Sequence, residues 1–344
     1  MQVLIVDDSL VIRTAIRGAL QGDPRITVAG TASNGQIALE MLQQKQIDVM
    51  ILDLEMPVLD GIKTLRAMRA LGCSAKVIVF SSLTTRGSEM TLEALTSGAQ
   101  DFLPKPKCDS PEQAAAQFRS ELLPKVLQFL PAPQLAPAIA DLPVREMLRK
   151  TIETFRPKAV VIASSTGGPA ALEAIFEGVH GVPRIPILIT QHMPPVFTQT
   201  FAKRLGDISK LPSKEAAHGD VLKPGIYVAP GDYHLSLKVE QDAVKTVLDK
   251  GPQQNSVRPA ADPMFKSASA IWGSGLLAIV LTGMGEDGLV GCRTVKQNGG
   301  GVVIQSQKSC VVYGMPGAVS QAKLQDEIFE LPEIQKLLKK VAIV

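Results

Sequence analysis

Two adjacent hydroxyl side chains are the residues of this sequence best placed to do chemistry. Ser164 and Ser165 lie in the stretch AVVIASSTGGP (159–169), between an apolar run and a pair of glycines. This pattern predicts a buried strand, a tight turn and the start of a helix. At such a turn a hydroxyl lies beside unpaired backbone N–H groups and the positive end of the helix dipole. A serine nucleophile needs that environment because negative charge develops during acyl transfer. A nucleotide-phosphate turn and a plain strand–helix corner stay open as alternatives.

A serine nucleophile also needs a general base and an acid that orients the base. Of the four histidines, only His192 directly follows a strong apolar run, residues 186–190. Asp287 follows another such run, residues 276–281, in a loop whose glycines permit close backbone approach. The spacing therefore predicts that Ser165, His192 and Asp287 meet at one edge of a sheet. Their chain order differs from that of the α/β-hydrolases, and a loop histidine with a helix-capping aspartate is the alternative.

A second set of reactive side chains lies in the first third of the chain, where each member follows a short apolar run. The set comprises Asp7, Asp8, Asp53, Ser81 and Lys105. Carboxylates crowded at the ends of neighbouring strands repel one another and need a cation, and their hard oxygen atoms suit Mg²⁺. A lysine adds a second positive charge, and a serine hydroxyl can meet a new oxyanion. The set therefore indicates phosphoryl transfer onto a carboxylate. Acids that only cap helices are the alternative.

Strands that alternate with helices must position both sets of side chains. In the first half the predicted strands lie at 3–6, 26–29, 49–52, 76–80 and 101–103. In the second half, after the run that precedes Ser164, the predicted strands lie at 186–190, 225–229, 236–239, 276–281 and 302–305, with glycine-rich loops following strands. This alternation predicts α/β domains with parallel sheets. Prolines between residues 131 and 143 separate the two halves and predict an extended, semi-rigid tether.

The composition narrows the class of protein. The chain has 344 residues, enough for two domains that each bury a core. Its formal net charge of +3 is too small to argue for a nucleic-acid or membrane partner. No apolar run reaches the roughly 18 residues of a membrane span, and the N-terminus lacks the basic flank and cleavage site of a signal peptide. The four cysteines are scattered without metal-binding spacing, which predicts reduced thiols and a cytoplasmic location.

The motifs of the first third resemble the receiver domain of a two-component response regulator. They read VDDS (6–9), LDLEMP (52–57), FSS (80–82) and DFLPKP (101–106). The resemblance implies a doubly wound, flavodoxin-like α/β fold for residues 1–125, with Asp53 as the phosphoryl acceptor. The implied Mg²⁺ ligands are Asp7, Asp8, Asp53 and the backbone carbonyl of Glu55. The implied switch residues are Ser81 and Phe102, and Lys105 is implied to contact the phosphoryl group.

The motifs of the second half resemble the catalytic domain of the chemotaxis protein-glutamate methylesterase. They read STGGP (165–169), QHMP (191–194) and LTGMGEDG (281–288). The resemblance implies that Ser165 is the nucleophile, His192 the general base and acid, and Asp287 the orienting carboxylate. The backbone N–H of Met284 and the Thr166 segment are implied to bind the oxyanion. Members of the family commonly carry one serine here, and alignment on Thr-Gly-Gly selects Ser165 and leaves Ser164 at the usual alanine position.

Together the two resemblances imply a receiver domain at 1–125, a linker at 126–152 and a parallel-sheet α/β methylesterase domain at 153–344. They imply hydrolysis of glutamate γ-methyl esters on the cytoplasmic helices of chemoreceptors, with release of methanol, and deamidation of receptor glutamines. A chemotaxis histidine kinase is the implied phosphodonor that activates the reaction. Mg²⁺ is expected for the receiver alone, and no cofactor for the esterase.

We expect a monomer with no nucleic-acid partner and no membrane insertion. Two alternatives stay open at this point. In the first, the output half acts by binding alone, through a degenerate esterase site. In the second, the esterase serves a signalling system other than chemotaxis, because a substrate groove is a surface and not a motif.

Overall fold

The computed structural model describes residues 1–106, 111–130 and 155–344, which belong to two compact units. The first unit comprises Met1–Ala136 and the second Pro137–Val344. Each has its own parallel sheet and its own hydrophobic core. The α/β class predicted from the alternating pattern is therefore confirmed in both. The predicted linker, residues 126–152, lies outside the described residues from 131 onward.

The first unit is a five-stranded sheet with helices between consecutive strands. Its strands are β1 (Gln2–Val6), β2 (Thr27–Ala32), β3 (Val49–Asp53), β4 (Lys76–Ser81) and β5 (Asp101–Pro104). Its helices are α1 (Leu10–Leu20), α2 (Gly35–Gln44), α3 (Gly61–Ala70), α4 (Thr85–Thr96) and α5 (Pro111–Leu127). All strand pairs are parallel, in the order β2-β1-β3-β4-β5. In this flavodoxin-like order the winding reverses between β1 and β3, so ligand-binding groups gather at the carboxyl ends of those two strands.

Polar residues in the sequence explain where four of these helices begin. Ser9, Asn34, Asp60 and Thr84 each precede a helix and accept a hydrogen bond from the backbone N–H three residues later. Such caps satisfy N–H groups that the helix itself leaves unpaired. One predicted strand is longer than expected. The strand predicted at 26–29 extends to Ala32, because residues 30–32 pair with β1 although they are small and lack the apolar signal.

The last helix of the first unit runs past the proposed boundary at residue 125. α5 ends at Leu127, and Val126 is buried in the same core as Phe118. Lys125 Nζ lies 2.7 Å from Oδ2 of Asp101 at the start of β5. These contacts hold the C-terminal end of α5 against the sheet.

The second unit has a larger sheet and an added hairpin. Its strands are β6 (Ala159–Ser164), β7 (Pro186–Gln191), β8 (Ser213–Glu215), β9 (Gly225–Val228), β10 (His234–Glu240), β11 (Ala243–Asp249), β12 (Leu276–Val280), β13 (Gly301–Gln305) and β14 (Glu327–Phe329). Its helices are α6 (Gly168–Phe176), α7 (Phe197–Ser209), α8 (Ala261–Trp272), α9 (Leu289–Gln297), α10 (Met315–Gln321) and α11 (Leu331–Ala342). Within the described part of the chain, no helix is long and apolar enough to span a bilayer.

The main sheet of the second unit brings three polar loops to one edge. Its seven parallel strands have the order β14-β13-β12-β6-β7-β9-β8. β6 is central, with β7 on one side and β12 on the other. The winding reverses between β6 and β12, so the loops that follow β6, β7 and β12 adjoin at this switch point.

Three strands of the second unit, β8, β11 and β14, lie outside the runs predicted as strands. β10 and β11 form an antiparallel hairpin outside the main sheet. The sequence indicated only part of β10, at 236–239, because β11 reads AVKTVLD and has no continuous apolar run. β14 also follows the strand predicted at 302–305, observed as β13, which was expected to be the last. It has three residues, and a buried glutamate interrupts its apolar pattern.

Candidate active site

Ser165 is the first residue after β6 and lies against the loop that follows β12. Its N–H donates to the carbonyl of Thr282 (3.0 Å), and its carbonyl accepts from the Gly168 N–H (2.7 Å), which closes the turn. The loop can approach this closely because residue 283 is glycine. A Cβ on Gly283 would lie 2.8 Å from the Ser165 Cβ. The half-buried Ser165 is thus held at the N-terminal end of α6, where unpaired N–H groups favour negative charge.

His192 follows β7 at the position beside Ser165. Ser164 and Gln191 are the last paired residues of β6 and β7, and the His192 N–H donates to the Ser164 carbonyl (3.1 Å). Neighbouring strands lie about 4.8 Å apart, so the next residues of the two strands are neighbours at the sheet edge. Nε2 of the imidazole lies 2.8 Å from Oδ2 of Asp287. Because the carboxylate occupies Nε2, Nδ1 is the nitrogen left for a neighbouring hydroxyl.

Asp287 is 1% exposed and accepts hydrogen bonds at both carboxylate oxygens. Its donors are His192 Nε2, Asn255 Nδ2 and the backbone N–H groups of Ala261, Asp262 and Gly288. Burial alone would raise the pKa of Asp287. The hydrogen bond from His192, the charge of that ring and the N–H groups at the start of α8 outweigh burial, so this pKa lies below its usual range. An ionised carboxylate here can stabilise a protonated imidazole.

The backbone groups predicted to bind an oxyanion flank Ser165. Thr166 follows in the same turn, and its carbonyl accepts from Oγ1 of Thr282 (2.9 Å). Met284 follows Gly283 in the loop after β12, and its side chain is exposed. The segments that contain Thr166 and Met284 therefore approach Ser165 from the ends of two neighbouring strands.

Two polar side chains support the site through contacts that the sequence pattern did not predict. Asn255 donates to Oδ1 of Asp287 (3.2 Å) from a loop between β11 and α8. Gln191 donates to the backbone carbonyls of Ser165 (3.1 Å) and His192 (3.3 Å). Gln191 belongs to the QHMP motif, a signal that could have identified it. The residues around Asn255 carry no such signal, because its contact depends on how the loop folds back.

The first unit brings the three predicted carboxylates together. Asp7 and Asp8 follow β1 and Asp53 ends β3, and ligand oxygens of all three lie within 4.8 Å of one another. Lys105 Nζ lies 2.7 Å from Oδ2 of Asp53. Burial raises the pKa of Asp53 even with the lysine beside it. Burial, and then the charge of Asp53, raise the pKa of Asp7 to about 6.

This set of oxygen donors fits Mg²⁺. Oδ1 of Asp7 accepts from the Ser9 N–H (2.8 Å), whereas its buried Oδ2 has no hydrogen-bond partner among the described residues. A buried carboxylate oxygen is costly to leave unpaired, and a hard cation would satisfy it. The Glu55 N–H donates to Oδ1 of Asp53 (3.3 Å), which places the main chain of Glu55 beside the cluster.

The two predicted switch residues lie on neighbouring strands of the same sheet. Ser81 ends β4 and donates to the carbonyl of Gly87 in α4 (2.8 Å). Phe102 lies in β5 and is buried. The Lys105 N–H donates to the carbonyl of Ser81 (2.8 Å). Ser81 and Lys105 thus share the edge at which Asp53 lies.

An acidic pocket on a flavodoxin-like unit, followed by a unit that pairs histidine with aspartate beside a serine, is the arrangement of response regulators with a hydrolase output domain. A model of the response regulator receiver domain matches residues 3–115, and a model of the CheB methylesterase matches residues 160–338. The chain belongs to the CheB methylesterase family.

Individual relatives agree with this assignment, two of them over nearly the full length of the chain. A protein-glutamate methylesterase/protein-glutamine glutaminase of Nocardioides sp. is 41% identical and covers 99% of this chain and 96% of its own. One of Trichodesmium erythraeum is 40% identical and covers 99% of both chains. The crystal structure of the Thermotoga maritima CheB methylesterase catalytic domain is 43% identical, with a TM-score of 0.52, and covers 54% of this chain and 98% of that chain.

Proposed function

We propose that this chain is a phosphorylation-activated hydrolase that demethylates glutamate γ-methyl esters on chemoreceptors. The observation that carries the proposal is the 2.8 Å contact between His192 Nε2 and Asp287 Oδ2, at the sheet edge where Ser165 lies. The names of the relatives supply the substrate class. The same site is proposed to deamidate receptor glutamines, because an amide is cleaved by the same acyl transfer.

The proposed reaction begins with attack by Ser165 on the ester. Nδ1 of His192 accepts the hydroxyl proton while Oγ bonds to the γ-carbonyl carbon. The carbonyl oxygen becomes an oxyanion that the Met284 N–H and the Thr166 segment stabilise. Asp287 holds the imidazole and stabilises its protonated form. The bond to the methoxy group then breaks, His192 returns the proton to it, and methanol leaves a glutamyl ester on Ser165.

Water completes the proposed cycle. His192 takes a proton from the water as its oxygen attacks the glutamyl ester, and a second oxyanion forms in the same place. When that intermediate collapses, the proton held by His192 goes to Oγ of Ser165, and the glutamate side chain is released as the acid, which ionises to the carboxylate in water. With glutamine as substrate the first leaving group is ammonia. Because these side chains supply the nucleophile and both proton transfers, we propose no cofactor for this reaction.

Asp53 is the proposed phosphoryl acceptor, and phosphorylation there is proposed to raise esterase turnover. The groups proposed to hold Mg²⁺ are Asp7, Asp8, Asp53 and the backbone carbonyl of Glu55. When bound, this ion neutralises charge on the transferring phosphoryl group. Lys105, 2.7 Å from Asp53, is proposed to contact the transferred group. Ser81 and Phe102 are proposed to respond to it as the switch.

The proposed partners are the cytoplasmic helices of methyl-accepting chemoreceptors, as substrate, and a chemotaxis histidine kinase, as phosphodonor. We propose a cytoplasmic monomer without a nucleic-acid partner or direct membrane insertion. The small net charge of +3 supports the absence of a polyanionic partner.

Methanol release from methylated chemoreceptor membranes tests the proposed function. The purified full-length protein is assayed with and without acetyl phosphate and Mg²⁺, and ammonia is measured with glutamine-bearing receptors. We expect methanol in both conditions and a faster rate with the phosphodonor. Absence of both methanol and ammonia, with the phosphodonor present, would show that the proposed function is wrong.

A further inference from the structure

Ser164, the residue before the proposed nucleophile, has a hydroxyl that contacts one specific side chain, Gln191. The residue is fully buried at the end of β6, and Gln191 at the end of β7 is 2% exposed. Oγ of Ser164 donates to Oε1 of Gln191 at 2.6 Å. A buried hydroxyl–amide bond of this length joins the two central strands at the edge where the proposed nucleophile and base lie.

The other end of the same amide contacts the main chain of both proposed catalytic residues. Nε2 of Gln191 donates to the carbonyl of Ser165 (3.1 Å) and to the carbonyl of His192 (3.3 Å). Both partners are acceptors only, so the NH₂ group must face them and Oε1 must face Ser164. In this orientation of the amide, Oε1 of Gln191 needs a hydrogen-bond donor, and the Ser164 hydroxyl supplies it. The hydroxyl therefore favours the amide orientation that holds both carbonyls.

The packing around this amide leaves it little room to turn. Gly168, at the start of α6, lies directly over it. A Cβ at that position would lie 2.1 Å from Oε1 of Gln191 and 2.8 Å from the Cβ of Ser164. Residue 168 must therefore be small, because the amide fills the space that a side chain would take.

We propose that Ser164 is a positioning residue for the serine–histidine pair, acting through Gln191. Its hydroxyl fixes the Gln191 amide, and the amide fixes the spacing between the Ser165 and His192 backbones. Attack on an ester depends steeply on such spacing, because a displacement of about 1 Å can lower the rate about 100-fold. This inference rests on the proposed function, in which Ser165 is the nucleophile and His192 the base.

The Ser164→Ala variant of the full-length protein tests this role. Two substrates are used: methylated chemoreceptor membranes, and p-nitrophenyl acetate, which requires the serine and its base but no receptor-binding surface. We expect kcat to fall roughly tenfold on both substrates, since the variant leaves a buried acceptor unpaired and loosens the amide. KM stays unchanged, because Ser164 is buried and does not touch substrate.

Further variants distinguish a positioning effect from a general loss of stability on removing a buried hydroxyl. Ser209→Ala is the matched control, since Ser209 is equally buried but its Oγ donates to a helix carbonyl within α7 (2.7 Å). We expect its kcat to match that of the wild type. Gln191→Ala should lower kcat at least as much as Ser164→Ala, and the double variant should be no slower than Gln191→Ala, because both changes break one network.

Each outcome has a distinct meaning. Wild-type kcat in Ser164→Ala, or additive losses in the double variant, would overturn the positioning role. A loss that appears only in KM would also overturn it. If the wild type cleaves p-nitrophenyl acetate but releases no methanol from receptors, the proposed substrate is wrong while the kcat values on the small ester still decide the role of Ser164. If the wild type cleaves neither ester, both proposals are wrong.

Discussion

Asp287 explains how a full charge is accommodated inside the second unit. The carboxylate is almost completely buried, a position that would be strongly unfavourable for an unpaired ion. Its two oxygens accept hydrogen bonds from two side chains, His192 and Asn255, which lie in different loops, and from three backbone N–H groups. Only one of these donors, His192, takes part in the proposed chemistry. The others keep the carboxylate ionised and aimed at the ring.

Asn255 is the donor whose contribution can be measured most cleanly. Its side chain reaches Oδ1 of Asp287 at 3.2 Å from an exposed loop. We expect Asn255→Ala to lower kcat for methanol release by roughly 2- to 10-fold, the range that a single hydrogen bond supports.

Asn255→Asp is the matched comparison for that variant. It preserves size but places a second carboxylate beside Asp287, and like charges at this distance repel. We expect a larger loss of kcat than in Asn255→Ala. Equal activities in the two variants would show that Asn255 does not act through Asp287.

The position of a single residue in the site was predictable from the sequence where that residue follows a strongly apolar strand. Ser165, His192 and Asp287 all follow apolar runs, and parallel strands deliver such residues to one edge. Asn255 could not be found in this way. Asn255 lies in the loop between β11 and α8, and it reaches Asp287 because this loop folds back toward the active site. No local sequence pattern predicts that path.

The start of α8 depends on a residue from another loop. Ala260, the residue before the helix, has no side chain that can cap it. Asp287 accepts hydrogen bonds from the N–H groups of Ala261 (2.6 Å) and Asp262 (3.3 Å) instead. A carboxylate at this end also interacts favourably with the helix dipole. The Asp287 carboxylate thus stabilises both the loop that follows β12 and the start of α8.

This shared role predicts a pH dependence of stability. The pKa of Asp287 is lowered in the folded protein, so its contribution is present above the unfolded value of about 3.9 and is lost as the pH falls through the folded pKa. We expect wild type to lose more free energy of unfolding between pH 5 and pH 3 than Asp287→Asn does. Urea unfolding followed by the fluorescence of Trp272, the single tryptophan, reports this unit alone. Equal losses in the two proteins would contradict the capping role.

The central strands of the two main sheets were predictable because parallel strands at these positions are buried on both faces. β12 is apolar throughout, β3 and β6 are apolar up to their last residue, and all three strands are buried along their whole length. β11 was not predictable by that signal, since it lies in a two-stranded hairpin and its apolar residues are interrupted by Lys245 and Thr246. β14 has only three residues, too few for a periodic pattern to appear.

The whole chain combines two units that each have a separate core and a separate chemistry. Mg²⁺ should therefore stabilise only one of them. We expect Mg²⁺ to raise the Tm of the first unit by a few degrees in calorimetry, because it would bind Oδ2 of Asp7, which has no hydrogen-bond partner within the described part of the chain. The Trp272 transition of the second unit should not move. A shift of both transitions, or an unreduced shift in Asp7→Asn, would contradict the assigned ligands.

Coupling between the two units is tested at Asp53. We expect acetyl phosphate with Mg²⁺ to accelerate methanol release by the wild-type protein and to have no effect on Asp53→Asn, because the amide cannot accept the phosphoryl group. The rate is measured on methylated receptor membranes for both proteins. Equal stimulation of the variant would show that activation does not pass through this carboxylate.

The central claim is that a single alcohol, at the edge between β6 and β7, attacks the ester. Methanol release by full-length Ser165→Ala, compared with Ser164→Ala under the same conditions, tests it most directly. The account predicts that Ser165→Ala loses at least about 10³-fold in kcat, as expected when a nucleophile is removed, while Ser164→Ala keeps measurable turnover. Turnover that persists in Ser165→Ala and disappears in Ser164→Ala would contradict it.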